Sequence, residues 1–416
     1  MRVLPTFVLF ALASLAAAQS TWTVDSMNGP GTDFTEIADA IAAAGEGDTI
    51  VVRNGFYGLI HVDGKSLTIT AEAGASPVIS PFTFGGSNPA LLIENLAAGQ
   101  RASVRGMRFA HTFTTTMLTS ISCRDCMGSI WLEDCDTLTT PAGLMSPRSG
   151  MRVTSCDNLV VTRCFLSGSD NSICSTCPMP PGVLLVDSNT AIYDSRIEGC
   201  DGSNSVGAAG PQTGGNGLVI EGGTCYLSGS NVTGGQGGPA FLLQPAADGG
   251  IGLLQLLDST VTRALDTTIA GGPGGPGNGT PPGNPGQDLV VNAGTFATLT
   301  GTARSAVIDS PVRPATEALV ETFNGLPGDV VLMAYSTSGP LAPFFLPAGK
   351  GPLVIAPNLV ISTKGTCDAN GELVTTPMIG ALSPGVSSQV VYLQGAMVGL
   401  DGITLTSPMT LVLLAN

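Results

Sequence analysis

The sequence predicts an all-β chain: a solenoid of stacked β-coils, closed at its start by one helix and followed by a β-sandwich-like domain. Three observations lead there. The composition suits strands and turns. A short β-rich unit recurs through the middle of the chain. The last hundred residues lose that recurrence but stay rich in short apolar runs.

Composition sets the class. The chain has 416 residues with 56 Gly, 29 Pro and only 11% charged residues. Lysine occurs only at Lys65, Lys350 and Lys364. Few straight-chain helix formers among much Gly, Thr, Ser and Val favours strands joined by turns. The formal charge of −15 excludes an ordinary nucleic-acid partner, because phosphate binding needs clustered cations. The acidic balance leaves carboxylates for calcium.

The recurrence appears when "SVRGMRFAH", "IWLEDCDTL", "LVVTRCFLS", "AIYDSRIEG", "YLSGSNVTG" and "QLLDSTVTR" are aligned. A column of small or sulfur residues runs Met107, Cys135, Cys164, Ser195, Ser230, Ser259. Apolar columns flank it: Val104, Leu132, Val161, Ile192, Leu227, Leu256 before, and Phe109, Thr137, Leu166, Ile197, Val232, Val261 after. Units this short have no room for a helix with its loops, and they bury their apolar residues by stacking coil on coil. Equivalent side chains then lie one strand spacing apart, about 4.8 Å.

That frame sorts the residues able to do chemistry. Asp134, Arg163 and Asp194 share one position on successive coils and read as a charge ladder. Asp170 and Asp201 align just beyond it. Stacked carboxylates repel unless a cation, a shared proton or water screens them, so the pair reads as a calcium site, an acid/base pair or ordinary turn residues. Catalysis, were there any, falls to Asp170, Asp201 and Arg163. Phe165 and Tyr193, on adjacent coils beside Asp194, form the place where sugar stacking and charge could meet. Cys126 and Cys156 fall on adjacent coils, as do Cys135 and Cys164, within disulfide reach. Thiol packing is the other reading. Cys174 and Cys177 form a CxxC disulfide candidate, as do Cys123 and Cys126. A zinc site would need four ligands, and His61 and His111 lie outside these loops.

The N-terminus reads as a secretory signal peptide over 1–18: Arg2, an apolar run from Val3 to Leu15, then Ala16, Ala17 and Ala18. No other stretch suits a membrane span. The mature chain is expected to be extracellular or held at a cell surface, where disulfides are permitted. In "DFTEIADAIAAAG", Phe34, Ile37, Ala40, Ile41 and Ala44 form one apolar face, so a helix is expected over 34–44, opened by an Asp33/Glu36 capping box and stopped by Gly45. It would cover the open first coil.

The stretch "IADAIAAAGEGDTIVVRNGFYGLIHVDGKSLTITAEAG" resembles the opening of right-handed parallel β-helix proteins of the pectate-lyase-like superfamily, exported bacterial members included. The resemblance implies a right-handed parallel β-helix over 19–310 and an extracellular polysaccharide or cell surface as partner. It implies no activity, because the enzymes' motifs are missing. The Gln/Asp motifs and Gly-Arg-Pro-Trp run of pectin esterases are absent, as are the Asn-Thr-Asp and Gly-His-Gly segments of polygalacturonases. "SPVRPATE" is similar to the Arg-x-Pro segment of pectate lyases but lies beyond the repeats.

Residues 271–287, "GGPGGPGNGTPPGNPGQ", are expected as a flexible or polyproline-II-like loop inserted in a coil. Residues 317–416 carry short runs such as "DVVLMAY" and "MTLVLLAN", expected as the β-sandwich-like domain. Two functional readings follow. The first is a polysaccharide-binding or surface-scaffold protein without turnover. The second is a polysaccharide lyase or glycoside hydrolase acting on acidic glycans along the solenoid groove.

Overall fold

A computed structural model describes residues 19–80, 89–110, 119–138, 149–169, 179–203, 210–241, 244–337, 340–346, 349–355 and 358–415. The segment 1–18 expected as a signal peptide, Asp170, Cys174 and Cys177 lie outside the described residues. The chain forms a parallel β-helix of about eight turns, then an antiparallel β-domain.

Each coil contributes one stretch to a 14-stranded long sheet and one strand to an 8-stranded short sheet. Strands such as Thr119–Glu133, Ser149–Thr162, Val183–Tyr193 and Leu218–Ser228 stack in parallel register. Val104, Leu132, Val161, Ile192 and Leu227 are register partners in sequence, as the repeat predicts. All five are buried in one continuous core. Each such side chain contributes about 1.5–3 kcal/mol by leaving water.

The sixth repeat is corrected. Leu227 pairs with Ala264, and Val232 with Ile269, so the small-residue column continues at Thr267 rather than Ser259. The last copy is "ALDTTIA", and Leu256–Ser259 form the turn before it. "QLLDSTVTR" imitated the pattern because any apolar residue followed by small polar ones fits three loose columns.

The bend between the sheets is one residue wide. Gly106, Asp134, Arg163, Asp194, Gly229 and Asp266 occupy it with φ of 71°, 52°, 51°, 47°, 58° and 46°. A left-handed residue turns the chain sharply. Gly and Asp accept that conformation most readily, which explains the acidic column. The cation in the series, Arg163, takes the same backbone strain. A second left-handed column, Asn95, Asp125, Ser155, Asp187 and Gly222, bends the long strands midway.

The N-terminal helix spans Ile37–Ala43 and buries Ile37 and Ala40 over the first coil. The expected capping box does not form. Asp33 Oδ2 accepts from the Thr23 N–H at 2.8 Å, and Glu36 Oε2 from the Gly58 N–H at 3.2 Å. The Lys65 ammonium donates to the carbonyls of Ile41 and Ala44 at 2.9 and 2.8 Å, closing the other end.

The Gly/Pro-rich insertion is part of an ordered two-layer sandwich. In one layer, the N–H groups of Gly199 and Gly202 donate to the carbonyls of Thr233 and Gln236, and those of Gly234, Gly237 and Ala240 to Ala270, Pro273 and Pro276. In the other, Gly214 and Gly217 donate to Asp248 and Ile251, and Gly249 and Gly252 to Asn284 and Gln287. These bonds recur every third residue, the period of an extended polyproline-II strand. The layers are tied by Gly215 to Cys200, Gly235 to Gly215, Gly250 to Gly235, Gly272 to Gly250 and Gly286 to Gly272, at 2.7 to 2.8 Å. A chain without side chains buries little apolar area, but it lets backbones approach and satisfy one another directly. A Cβ on Gly235 would stand 2.0 Å from the Cys200 carbonyl oxygen, and one on Gly250 1.9 Å from that of Gly215.

From Ser305–Ile308 onward the pairing turns mainly antiparallel, with Glu321–Asn324 and then Glu372–Thr375, while Val312–Pro314 and Gly349–Lys350 run parallel to Gly402–Leu414. The long strands Ser388–Gly399 and Gly402–Leu414 pair as a hairpin inside a six-stranded sheet. This domain lies against the outer face of the long sheet. Trp131, Val160, Ala191, Tyr193, Tyr226 and Leu265 pack there against Val312, Val354, Ile355, Val390, Tyr392 and Val412.

If the sandwich is as tightly packed as this, Gly235→Ala lowers stability by about 1–3 kcal/mol or more through overpacking. Chemical denaturation checks it. An unchanged midpoint would mean that the layers are loose.

Candidate functional site

A dense polar group sits where the C-terminal domain meets the β-helix. Arg105, Glu133, Asp134 and Arg163 come from three successive coils. Arg105 Nη2 lies 2.8 Å from Asp134 Oδ2, and its Nη1 3.3 Å from Glu133 Oε1. Arg163 Nε donates to Asp134 Oδ1 at 2.8 Å, and its Nη2 pairs with Glu133. The Glu133 side chain is 1% exposed.

The cluster is closed from the other side by one residue. The Thr410 N–H and Oγ1 donate to Glu133 Oε2 at 2.9 and 2.5 Å, and Arg105 Nη1 donates to the Thr410 carbonyl at 2.6 Å. Two cations meet two carboxylates, so the charges of the partly buried cluster balance. Burial works to raise the Asp134 carboxyl, but Arg163 and Arg105 outweigh it and hold the group below its ordinary range. Asp194 is shifted the other way: burial pushes its carboxyl up, with Arg163 offsetting only part. Arg163 Nη1 is buried with no hydrogen-bond partner among the described residues.

Of the expected ladder, Asp134 and Arg163 pair directly, whereas Asp194 makes no ion pair with Arg163 among the described residues; all three are half-buried. Tyr193 is 1% exposed. Its hydroxyl donates to the Pro352 carbonyl at 3.3 Å, and its ring lies 5.5 Å from that of Tyr226. Trp131 meets Tyr392 edge-on at 5.0 Å. Burial pushes the Tyr226 hydroxyl up to about 12. Tyr193 is thus packed beneath the C-terminal domain and offers no open sugar platform in this state.

Phe165 lies elsewhere, on the outer face of the short sheet, with the Arg196 guanidinium 5.2 Å above its ring centre. Arg196 Nε donates to Glu198 Oε1 at 2.6 Å. Phe165, Tyr193 and Asp194 do not form one patch, because the left-handed bend turns Phe165 onto a different face. Asp201 is exposed, and its Oδ1 accepts from the Gln236 N–H of the next coil at 2.7 Å, inside the glycine sandwich. That is a backbone cap, the role that suits Asp in turns.

The disulfide expectation is corrected for the five candidate cysteines within the described residues, Cys123, Cys126, Cys135, Cys156 and Cys164, none of which is bridged. Cys126 and Cys156 are register partners, and Cys135 and Cys164 stack likewise, but all are free, buried thiols. In a parallel in-register stack the Cα–Cβ bonds run side by side. The Cβ atoms therefore stay about 4.8 Å apart, beyond the 3.5–4.5 Å a disulfide requires. Burial raises the Cys164 thiol well above its usual value and pushes Cys225 up to about 12, so these are packing groups rather than nucleophiles.

A second ionisable group lies on the outer face of the early coils. His61, Asp63 and Glu94 bring one ligand atom each within 4.8 Å of one another, as a small metal site would. Their acceptors already take protein donors: Glu94 from His61 at 2.8 Å and Arg124 at 2.5 Å, Asp63 from Asn95 at 2.8 Å. Arg124 holds the Glu94 carboxyl below its ordinary range.

Arg105, Glu133, Trp131 and Tyr226 were not among the sequence-predicted site residues. The repeat did carry a signal. Arg105, Glu133, Thr162 and Tyr193 each follow a core residue by one position, so they form a single outward column. What the column faces is set by a domain hundreds of residues away.

No family model and no curated protein matches this chain. Solved structures do. A pectin methylesterase in complex with a hexasaccharide is 12% identical over 68% of this chain and 94% of its own, with a TM-score of 0.37. Pectin methylesterase PemA from Erwinia chrysanthemi is likewise 12% identical over 68% and 94%, with a TM-score of 0.38. Tailspike protein 2 of Escherichia coli O157:H7 bacteriophage CAB120 is 10% identical over 90% of this chain and 60% of its own, with a TM-score of 0.27. The assignment of a parallel β-helix rests on the strand register of the chain itself.

Glu133→Gln is expected to cost about 3–5 kcal/mol, because it removes a fully buried charge from between the buried Arg105 and the half-buried Arg163. Denaturant unfolding monitored by tryptophan fluorescence reads this at Trp131; an unchanged midpoint would show the cluster to be incidental.

Opposite pH behaviour is expected at two carboxylates. Asp134 has a lowered folded pKa, so its stabilisation holds above the ordinary Asp range and is lost as pH falls through that lowered value. Asp194 has a raised one, so its ionisation costs stability at neutral pH. Asp194→Asn should therefore raise Tm at pH 7, and the gain should vanish as the pH drops through the carboxylate range. A loss of stability at pH 7 would reverse the assignment.

Proposed function

We propose that this chain is an extracellular polysaccharide-binding or surface-scaffold protein that holds its ligand without turning it over. One observation carries the reading. Glu133 and Tyr193, two of the residues best suited to chemistry, are consumed in docking the C-terminal domain, and Arg163 and Asp134 are consumed in ion pairs with Glu133 and Arg105 beside it. Asp201 is spent on a backbone cap. A scaffold needs rigidity along its length, and a continuous core with a domain packed against its flank supplies that.

The surface offered for a glycan is the outer face of the short sheet. Arg108, Asp136, Phe165, Arg196, Asn231 and Thr268 form one outward column there, running coil to coil. Sugar recognition draws on such a mix, an aromatic ring flanked by charged and amide groups that hydrogen-bond hydroxyls. The leader-like composition of the first 18 residues supports the extracellular part of this reading.

The test uses the mature chain with a panel of neutral and acidic polysaccharides, with calcium and with chelator. Binding without new reducing or unsaturated ends is expected, with at least tenfold weaker binding in Phe165→Ala/Arg196→Ala, a difference of about 1.4 kcal/mol. Product formation that is lost in Asp170→Ala or Asp201→Ala would replace this reading with a lyase or hydrolase. Absence of binding to every polysaccharide would remove the glycan.

A further inference from the structure

The two ends of the β-helix are finished differently. The first coil is covered by the helix Ile37–Ala43. Among the described residues the last coil, Leu289–Val291 and Thr295–Leu299, pairs on one side only, with Leu253–Gln255 and Val261–Leu265. Its free edge can be read from the register. Leu253 N–H donates to the Asp288 carbonyl, and Asn292 N–H to that of Gln255, so alternate residues 288, 290 and 292 bond inward. The backbone groups of Leu289 and Val291 therefore point along the axis away from the helix. By the same alternation, Thr295 N–H bonds inward to Thr260, and the groups of Phe296 and Thr298 point away. Leu289 and Val291 are also 37% and 39% exposed, the profile of a strand edge that seeks a partner.

The neighbouring rows of the glycine sandwich end on the same side but are guarded. Positions 249 and 252 donate to the next row through Asn284 and Gln287, and Ala246 to Pro281. Their equivalents on the terminal row are Pro285, Asp288 and Pro282, and both prolines lack an N–H. In the other layer the Gly271 N–H is taken by Asp288 Oδ1 at 2.9 Å. Proline and a side-chain acceptor thus close much of the sandwich edge, while the β-strand part beside it stays open.

We infer that the open edge formed by Leu289–Val291 and Thr295–Leu299 is where a second copy of this chain docks, end to end. Charge points to that partner. The chain carries −15, so two copies repel over most of their surface. Between Thr267 and Ala303 the sequence holds one ionisable residue, Asp288, so two copies can meet there with little repulsion. A two-fold arrangement places each edge strand antiparallel to its own copy, and backbone donors then meet backbone acceptors without side-chain complementarity. The prolines limit the contact to the strands and stop a sheet from growing across the sandwich.

The experiment is sedimentation velocity of the mature chain over about two decades of concentration, alongside Val291→Pro/Thr298→Pro and Thr298→Lys. The proline pair removes outward donors and leaves the inward ladder intact. Thr298→Lys keeps the backbone and adds like charge across the two-fold. The unsubstituted chain should dimerise reversibly, and both variants should weaken the dimer at least tenfold with unchanged circular dichroism. A chain monomeric at every concentration would overturn the inference. So would a dimer that both variants preserve.

Discussion

Everything in this protein depends on one constraint: each coil must sit in register on the next, one strand spacing away. In-register stacking makes every residue the neighbour of its own equivalents. Columns of Val, Leu and Ile become a core, small residues and cysteines fill the corner beside the bend, and the bend itself becomes a column of left-handed residues. The same constraint explains the cysteines. Stacking brings thiols close and also aligns their Cα–Cβ bonds, which keeps them from the geometry of a bridge.

The glycine sandwich extends the rule to a chain without side chains. Where the coils grow long loops, stacking continues through backbone hydrogen bonds every third residue, and glycine is required because successive backbones nearly touch. Proline is compatible with the same extended conformation and appears on the outermost row, where fewer donors are needed. High glycine and proline content is therefore no guide to mobility. What matters is whether neighbouring segments repeat with the same period.

The C-terminal domain changes the meaning of one face. A column of Arg, Glu, Thr and Tyr on an isolated β-helix would read as a polar, sugar-ready surface. Covered by strands that bring Tyr392, Val412 and the Thr410 backbone, the same residues become glue. A balanced buried cluster gives little net stability but penalises any other docking, since each misplacement strands a charge.

The sequence by itself determined the solenoid, because stacking forces chemically similar residues to recur at equivalent positions. Five of six repeats, the core columns and the N-terminal helix were legible for that reason. The sixth copy slipped because Thr267 occupies the column that Ser held, while an earlier Ser259 offered a decoy. Capping was misjudged because Asp33 had a nearer donor in Thr23. Only the tertiary structure decided which outward columns meet water. Repeat spacing shows that Glu133 and Tyr193 point out, but not that the distant hairpin Ser388–Leu414 lies over them. Contacts between distant segments leave no periodic trace in a single chain, and so the candidate site was the part that the sequence could not show.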